Sequence, residues 1–358
     1  MAQFDSEYPD KFFDQMCGAH LWPRRGRWPN LNMQRLTLIT KPEAGYELLD
    51  SGREEKLERF GDVVLARPDP QALWPQGSHE TWADAHGTYV RESGEGNKRE
   101  GKWTGNIPSE WKVEFGGLQF IIKPGSFKHT GLFPEQLSNW EWVREVIKSR
   151  YSGSKASGVL EFSAENSLSS PAVAVESPLQ PSSTSATPVR VLNLFGYTGG
   201  ATLAAAQAGA EVTHVDASKT AVSWARDNAA ASGLSEAPIR WMVEDVLVFV
   251  QREIKRGNKY DAIIMDPPAF GHGPKNELWK IEENLIELVQ LCQELLSDKP
   301  LFVLINGYAE GYSPLAFAYN LEPLTKKYGG EVECGELTIK ESASERLLPA
   351  GIFARWKA

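Results

Sequence analysis

Downstream of residue 188, short apolar runs alternate with amphipathic stretches. Residues 191–194 read as a buried strand, 198–208 as a helix of small residues, 211–216 as a strand and 219–231 as a helix. The pattern continues with a strand at 239–244, a helix at 247–256, a strand at 262–265, a long helix at 277–296 and a strand at 301–305. This β-α-β-α order predicts a mostly parallel sheet with helices on both faces. After a helix at 315–328, two apolar segments, 331–339 and 352–356, follow without a helix between them. They predict an antiparallel hairpin at one edge of the sheet.

Upstream the pattern changes. Residues 30–125 break short apolar stretches with Gly, Pro and Asp, as in YELLDSG, DVVLARP and WKVEFGGLQFIIKPG, which predicts a small β-rich domain. Residues 126–151 form a connecting segment and helix, and 1–29 an N-terminal segment. Residues 152–188 are rich in Ser, Pro and Ala and cannot bury enough apolar area to offset the entropy of ordering, so they read as a flexible insertion. Residues 189–358 remain as the α/β domain. Eight of the 12 tryptophans fall in residues 1–150 (Trp22, Trp28, Trp74, Trp82, Trp103, Trp111, Trp140 and Trp142). Packing a small core is the favoured role, and stacking on unpaired bases the sharper one.

Composition adds exclusions. With 41% hydrophobic and 24% charged residues the 358-residue chain is an ordinary globular protein. Its net charge is −9; residues 1–150 carry 20 basic and 22 acidic side chains, and the rest 18 and 25, so no general polyanion binder is expected. Arg24, Arg25 and Arg27 cluster, as do Lys98, Arg99 and Lys102, and solvated surface charge is the favoured reading of each. Cys17, Cys292 and Cys334 show neither disulfide nor zinc spacing, and no metal is expected. The acidic, aromatic N-terminus does not read as a leader and no run is long enough to span a membrane, so a cytoplasmic location is expected.

The candidate chemistry lies at strand ends. The loop FGYTGG (Phe195, Gly196, Tyr197, Thr198, Gly199, Gly200) follows the first strand of the α/β domain, where glycines permit a tight turn and close approach of a ligand to the backbone. The helix behind it offers free N–H groups to an anion, either the methionine carboxylate of S-adenosylmethionine or a dinucleotide pyrophosphate. The GxGxxG fingerprint of dehydrogenases is missing. Asp216, followed by Ala217 and Ser218, ends the second strand, where a carboxylate can accept from ribose hydroxyls. The alternative for Asp216 is a helix cap. Glu244 and Asp245 end the third strand, and Asp245 is placed either to accept from an adenine amino group or to cap the next helix. Asp266, Pro267, Pro268 and Phe270 follow the fourth strand. The prolines hold an extended backbone without N–H groups, so Asp266 and the adjacent carbonyls could accept from an amino group, with Phe270 stacking on a base.

These four motifs in order resemble class I S-adenosylmethionine-dependent methyltransferases. From about Tyr46 the chain is similar to the bacterial 23S rRNA methyltransferase family that includes cytosine-C5 and guanine-N2 enzymes, through YELLDSG, HTGLFPEQ, SKTAVSWARDN and LPAG. The resemblance implies a Rossmann-like α/β catalytic domain, S-adenosylmethionine as cofactor and ribosomal RNA as substrate. It also implies that Thr130, Gly131, Phe133 and Gln136 match a segment folded over the cofactor, with Pro134, Glu135 and Leu137 departing from that pattern. The family's N-terminal RNA-binding PUA module is expected to be absent, since too few residues precede Tyr46 to form it. Cytosine-C5 members carry a cysteine after the fifth strand, where this chain has Asn306 and Gly307. Methylation of a base nitrogen, exocyclic or in the ring, is therefore expected over carbon methylation. The alternatives are a protein or small-molecule acceptor, or a cofactor-binding RNA-associated protein without catalysis.

Overall fold

The computed structural model describes residues 33–77, 82–91, 101–125, 128–152, 187–308 and 311–358. The N-terminal segment with Cys17, Trp22, Trp28 and its three arginines lies outside them, as do Lys98, Arg99 and most of the Ser/Pro-rich stretch. The described residues form one unit, Met33–Ala358. Its strands are β1 (Met33–Thr40), β2 (Tyr46–Gly52), β3 (Glu55–Phe60), β4 (Val63–Pro68), β5 (Gly87–Arg91), β6 (Gly101–Gly105), β7 (Trp111–Phe115) and β8 (Leu118–Ile122), then β9 (Arg190–Leu194), β10 (Glu211–Asp216), β11 (Ile239–Val243), β12 (Ala262–Met265), β13 (Phe270–His272), β14 (Leu278–Lys280), β15 (Phe302–Gly307), β16 (Glu331–Lys340) and β17 (Leu347–Lys357). Its helices are α1 (Leu137–Ser152), α2 (Gly200–Gln207), α3 (Lys219–Ala231), α4 (Val246–Lys255), α5 (Ile281–Glu294), α6 (Pro314–Ala318) and α7 (Glu322–Tyr328).

The main sheet has the order β1-β16-β17-β15-β12-β9-β10-β11, and β17 alone runs against the others. Its central strands are mostly apolar because both faces are covered. On one face Val191, Ala262, Ile264, Phe302 and Leu304 pack with Val143, Val146 and Ile147 of α1 and with α2. The alternate residues Leu192, Ile263, Met265 and Val303 are equally buried on the other. The chain steps outward from β9 to β10 and β11, then returns to place β12 on the other flank of β9. That reversal opens a crevice beyond the carboxyl ends of β9 and β12, where ligands bind in such sheets.

Four expectations are corrected. The C-terminal hairpin is not at the sheet edge, because β1 adds beside β16 in parallel register. Met33–Thr40 therefore belongs to the main sheet, and the small β-rich region is the five-stranded sheet β2-β3-β4-β5-β6 plus the hairpin β7–β8. The expected helix at 277–296 begins only at Ile281, since Leu278–Lys280 pairs antiparallel with Phe270–His272. The helix expected at 315–328 is broken into α6, a 3₁₀ turn at Tyr319–Leu321, and α7, whose first turn holds Pro323.

Side chains tie the small β region to the main sheet. Ser51 donates to Glu341, and Arg346 reaches Glu341 at 2.8 Å and Asp50 at 3.1 Å. The hairpin β7–β8 docks on α3, where Asn228 and Ser232 accept from the amides of Ile121 and Gln119, both at 2.9 Å. Tryptophans in this region pack as the favoured reading has it. Trp140 stacks on Phe120 at 5.5 Å, and the indole N–H groups of Trp74, Trp82 and Trp111 donate to Ser51, Asp50 and Phe60. Among the described residues no helix is long and apolar enough to cross a membrane, and no group of His, Cys, Asp and Glu is arranged to hold a metal ion.

Candidate active site

A cavity of about 930 Å³ opens at the crevice beyond β9 and β12. It is lined by Phe195, Gly196, Tyr197, Thr198, Asp216, Ala217, Ser218 and Asp245, by Phe133 and Gln136 of the covering segment, and by Asp266, Pro268 and Phe270. Thus most of the residues singled out by sequence meet in one place. Thr130, Gly199, Glu244 and Pro267 do not reach its wall. Thr130 is fully buried behind it, and Glu244 is engaged by Arg252.

The glycine loop turns through left-handed backbone at Phe195 (φ 57°), Tyr197 (φ 46°) and Gly199 (φ 91°). Such a strained non-glycine pair persists only where surrounding structure holds it. Asp216 does so: its carboxylate accepts from Tyr197 N at 2.9 Å and Ser218 N at 2.8 Å. Asp216 is therefore no helix cap; Ser218 is, accepting from Ala221 N at 3.2 Å. Burial raises the Asp216 carboxyl, and these two amides oppose the rise. Asp245 does cap α4, accepting from Val248 N at 3.0 Å through Oδ1 while it lines the cavity.

The glycines act differently from the expectation that they admit a ligand. A Cβ on Gly196 would lie 2.4 Å from the His214 ring, one on Gly200 2.3 Å from Trp140, and one on Gly199 3.0 Å from Ala225. They let the loop settle onto its own protein. What the loop offers a ligand is the start of α2, whose N-cap Gly199 provides no side-chain cap. The neighbouring helices α3 and α4 are capped by Ser218 and Asp245. The first amides of α2, at Gly200 and Ala201 on the cavity wall, are left for an anion such as a carboxylate.

The covering segment is fastened to this loop. Thr198 Oγ1 donates to Gly131 O at 2.6 Å, and Gly131 (φ 96°) leaves no room for a Cβ beside Trp224. Thr198→Val is expected to lower stability by about 1–2 kcal/mol, since it leaves the Gly131 carbonyl unpaired, and to weaken cofactor binding several-fold by titration calorimetry.

Beyond the loop, acid groups gather in a dry place. Asp266 is partly buried, and its Oδ1, shielded from solvent, has no hydrogen-bond partner. Burial, with the charge of Glu135 added, pushes its carboxyl up to about 7. Glu135 is itself pushed up to about 7, chiefly by burial, against the pull of Lys56. Burial, with the charges of Asp266 and Glu135 added, raises the hydroxyl of Tyr308. The carbonyl of Pro268 is not free as expected, because Trp279 Nε1 donates to it at 2.7 Å. Cys292 and Cys334 are buried in α5 and β16, so among the described residues no cysteine lines the cavity.

Sequence reasoning missed several wall residues: Asn193, Trp279, Tyr308, and the cations Arg91 and Lys128. Asn306 had been read only for the cysteine it replaces, yet it lines the cavity and is 3% exposed. Glu135, noted only as a departure from a motif, supplies the second buried carboxylate.

Residues 180–313 match a family model described as S-adenosylmethionine-dependent methyltransferase. The crystal structure of the SAM dependent methyltransferase from Agrobacterium tumefaciens is similar over 91% of this chain and 96% of its own, with 33% identity and a TM-score of 0.76. The chain belongs to the S-adenosylmethionine-dependent methyltransferases. A methyltransferase from Streptococcus mutans shares the fold at 17% identity, covering 87% of this chain and 75% of the other, with a TM-score of 0.59. The curated relative "Ribosomal RNA large subunit methyltransferase K/L" of Shewanella baltica is 34% identical over 139 residues, 38% of this chain. That stretch is 18% of the relative's length.

The cofactor of this methyltransferase is S-adenosylmethionine, which supplies an electrophilic methyl group on a positively charged sulfur. The uncapped start of α2 and the unpartnered Asp266 oxygen, at two ends of the same wall, fit such a group and an acceptor beside it. The buried acids carry a testable consequence. A carboxyl whose folded pKa is raised binds its proton more tightly folded than unfolded, so the stability it contributes is present below about 4.5 and is lost as pH rises through about 7. Glu135→Gln keeps the shape of the side chain and removes the charge. It is expected to stabilise the protein by on the order of 2–3 kcal/mol at pH 8 and by little at pH 4.5, as read by denaturant melts.

Proposed function

We propose that this methyltransferase transfers its methyl group to a nitrogen of an RNA base, with ribosomal RNA as the substrate. The observation that carries the reading is Asp266, a carboxylate with one shielded, unpartnered oxygen, close in sequence to Pro268 and Phe270 in an aromatic cavity. In its ionised form this oxygen accepts from an amino group and turns the nitrogen lone pair outward, toward the methyl. Reaction at the nitrogen leaves a proton to be removed, and Asp266, with its carboxyl near neutral pH, is suited to take it at Oδ1. Phe270, half-exposed at the mouth, offers a stacking face.

Cofactor binding falls to the other half of the wall. The start of α2 holds the carboxylate of the amino-acid moiety, and Asp216, already locked by two amides, receives the ribose hydroxyls through its remaining lone pairs. Asp245 uses the oxygen not spent on Val248 for the adenine amino group. Ribosomal RNA is supported by the similarity to the K/L methyltransferase of Shewanella baltica, and Arg91 and Lys128 on the cavity wall suit a phosphodiester chain. The test is methyl transfer from isotopically labelled cofactor to unmodified ribosomal RNA transcripts. Labelled nucleosides are the expected result; cofactor binding without any labelled nucleoside would overturn the acceptor class.

A further inference from the structure

Asn306 stands at the end of β15, next to the end of β12 that carries Asp266. Met265 lies opposite Ile305 in the parallel ladder, so Asp266 and Asn306 continue the register as neighbours on the same face. Their backbones are about 4.8 Å apart, and both residues line the cavity. The orientation of the Asn306 amide is dictated by a chain of hydrogen bonds that starts from an arginine.

A guanidinium can only donate. Arg355 donates through Nε to Glu333 at 2.6 Å and through Nη1 to the Asn139 side chain at 3.3 Å, so the atom of Asn139 that faces it is the oxygen. The Asn139 nitrogen must then point the other way. It donates to Asn306 Oδ1 at 2.9 Å and to Gln136 Oε1 at 3.4 Å, which uses both of its hydrogens. The amide oxygen of Asn306 is thereby turned toward Asn139. Its Nδ2 is the end left for the cavity, and it makes no hydrogen bond among the described residues. The chain cannot swing to the opposite polarity. Asn139 is fully buried, and Arg355 is held over Trp142 at 4.5 Å and Phe353 at 5.1 Å.

The cavity therefore presents an acceptor at Asp266 and a fixed donor at Asn306, side by side. We propose that Asn306 determines specificity by donating from Nδ2 to the ring nitrogen adjacent to the amino group that Asp266 receives. The methyl acceptor is then a base edge pairing an amino group with an unprotonated ring nitrogen, as on adenine, on cytosine or on the N2–N3 edge of guanine. The inference rests on the base-methylation reading above. Guanine approached along its Watson–Crick edge sets an N–H beside its amino group and would meet Asn306 donor to donor. A protein carboxamide offers the same donor and acceptor pair, but the ring-lined wall of Phe133, Phe195, Tyr197, Phe270 and Tyr308 favours a planar heterocycle.

The experiment uses the full chain with labelled cofactor, unmodified ribosomal RNA transcripts and, in parallel, total ribosomal protein. Nucleosides and peptides are then read by mass spectrometry. N6-methyladenosine, N4-methylcytidine or N2-methylguanosine is expected. A guanosine methylated at N1 or N7 would overturn the role of Asn306 while leaving base methylation standing, and so would N2-methylguanosine formed equally well when N3 is replaced by C–H. A methylated carboxamide, or no labelled acceptor from a protein that binds the cofactor, would overturn both. Asn306→Asp sets a carboxylate where the donor was, and is expected to lower kcat/KM about 100-fold with cofactor affinity within about threefold. A second arm keeps the proposal exposed even where that variant folds poorly. With the wild-type protein, RNA in which the ring nitrogen is replaced by C–H (1-deazaadenosine or 3-deazacytidine) should lose about 100-fold. Asn306→Ala should discriminate between the two RNAs much less, and equal discrimination by both proteins would overturn the proposal.

Discussion

Asp266→Ala is expected to lower kcat by about 10²–10³-fold, with cofactor affinity measured by calorimetry within about threefold of wild type. The separation follows from position. The half of the wall proposed for the cofactor is built from the loop after β9 and the ends of β10 and β11, whereas Asp266 follows β12 and engages no other side chain through Oδ1. A group kept buried and unpartnered is disfavoured on its own, so its compensation lies in a ligand that brings a donor. The pH profile sharpens the expectation. With the Asp266 carboxyl near 7, the ionised acceptor form grows as pH rises, and kcat/KM should climb through that range and level off above it. Glu135 sits close enough to couple, so the rise spans two apparent steps that belong to the pair. Asp266→Asn keeps one acceptor oxygen and loses the charge. It should retain more activity than the alanine variant, with a flattened profile. A wild-type profile that falls between pH 6 and 8, or an alanine variant as active as wild type, would remove Asp266 from the chemistry.

Local pattern carried the α/β half of the fold almost entirely, because there hydrophobic period and strand burial say the same thing. Residues 262–265 were legible as a strand since each is buried and the run ends at Asp-Pro-Pro. The short β13–β14 hairpin was not. Leu278 and Trp279 fit a helical stripe leading into α5, and only pairing with Phe270–His272 converts them to strand, a tertiary preference that overrides local propensity. β1 misled for a similar reason. Its alternation reads the same whether it closes a small sheet or joins a large one, and its partner β16 lies some 300 positions away.

The candidate site divides along the same line. Its strand-end carboxylates were legible because each sits beside a recognisable turn. The donor at Asn306 was not, since its polarity depends on Asn139 and Arg355, 167 and 216 positions apart in their pairings. Nothing in the string LINGY tells which end of that amide faces a ligand. The glycines show the converse error. FGYTGG announces a tight loop, but the reason for each glycine lies in what its missing side chain would strike, and that is set by β10, α1 and α3.

Gly196→Ala is accordingly expected to act through His214. The added methyl would lie 2.4 Å from the Cε1 and 2.5 Å from the Nδ1 of a ring that is fully buried. His214 cannot retreat easily: Thr202 Oγ1 bonds its Nδ1 at 2.9 Å, Asn193 donates to the same hydroxyl at 2.8 Å, and Trp241 packs against the ring at 4.9 Å. Overpacking at such a position costs about 1–3 kcal/mol. The alternative to unfolding is displacement of the loop, which would drag Tyr197 off Asp216 and the amides of α2 away from their ligand. Cofactor affinity should therefore fall by at least about tenfold, in line with a loss of one to two such contacts. The cause is separable from any loss of glycine's backbone freedom, because Gly196 itself is not at positive φ. His214→Ala removes the obstacle, and burial already holds that imidazole neutral, at about 3, so no charge is lost with it. The double variant Gly196→Ala/His214→Ala should recover cofactor affinity relative to Gly196→Ala alone, even though His214→Ala by itself opens a cavity and lowers stability. Additive losses in the double variant would show that Gly196 is required for what approaches it from the ligand side rather than for the ring beneath it.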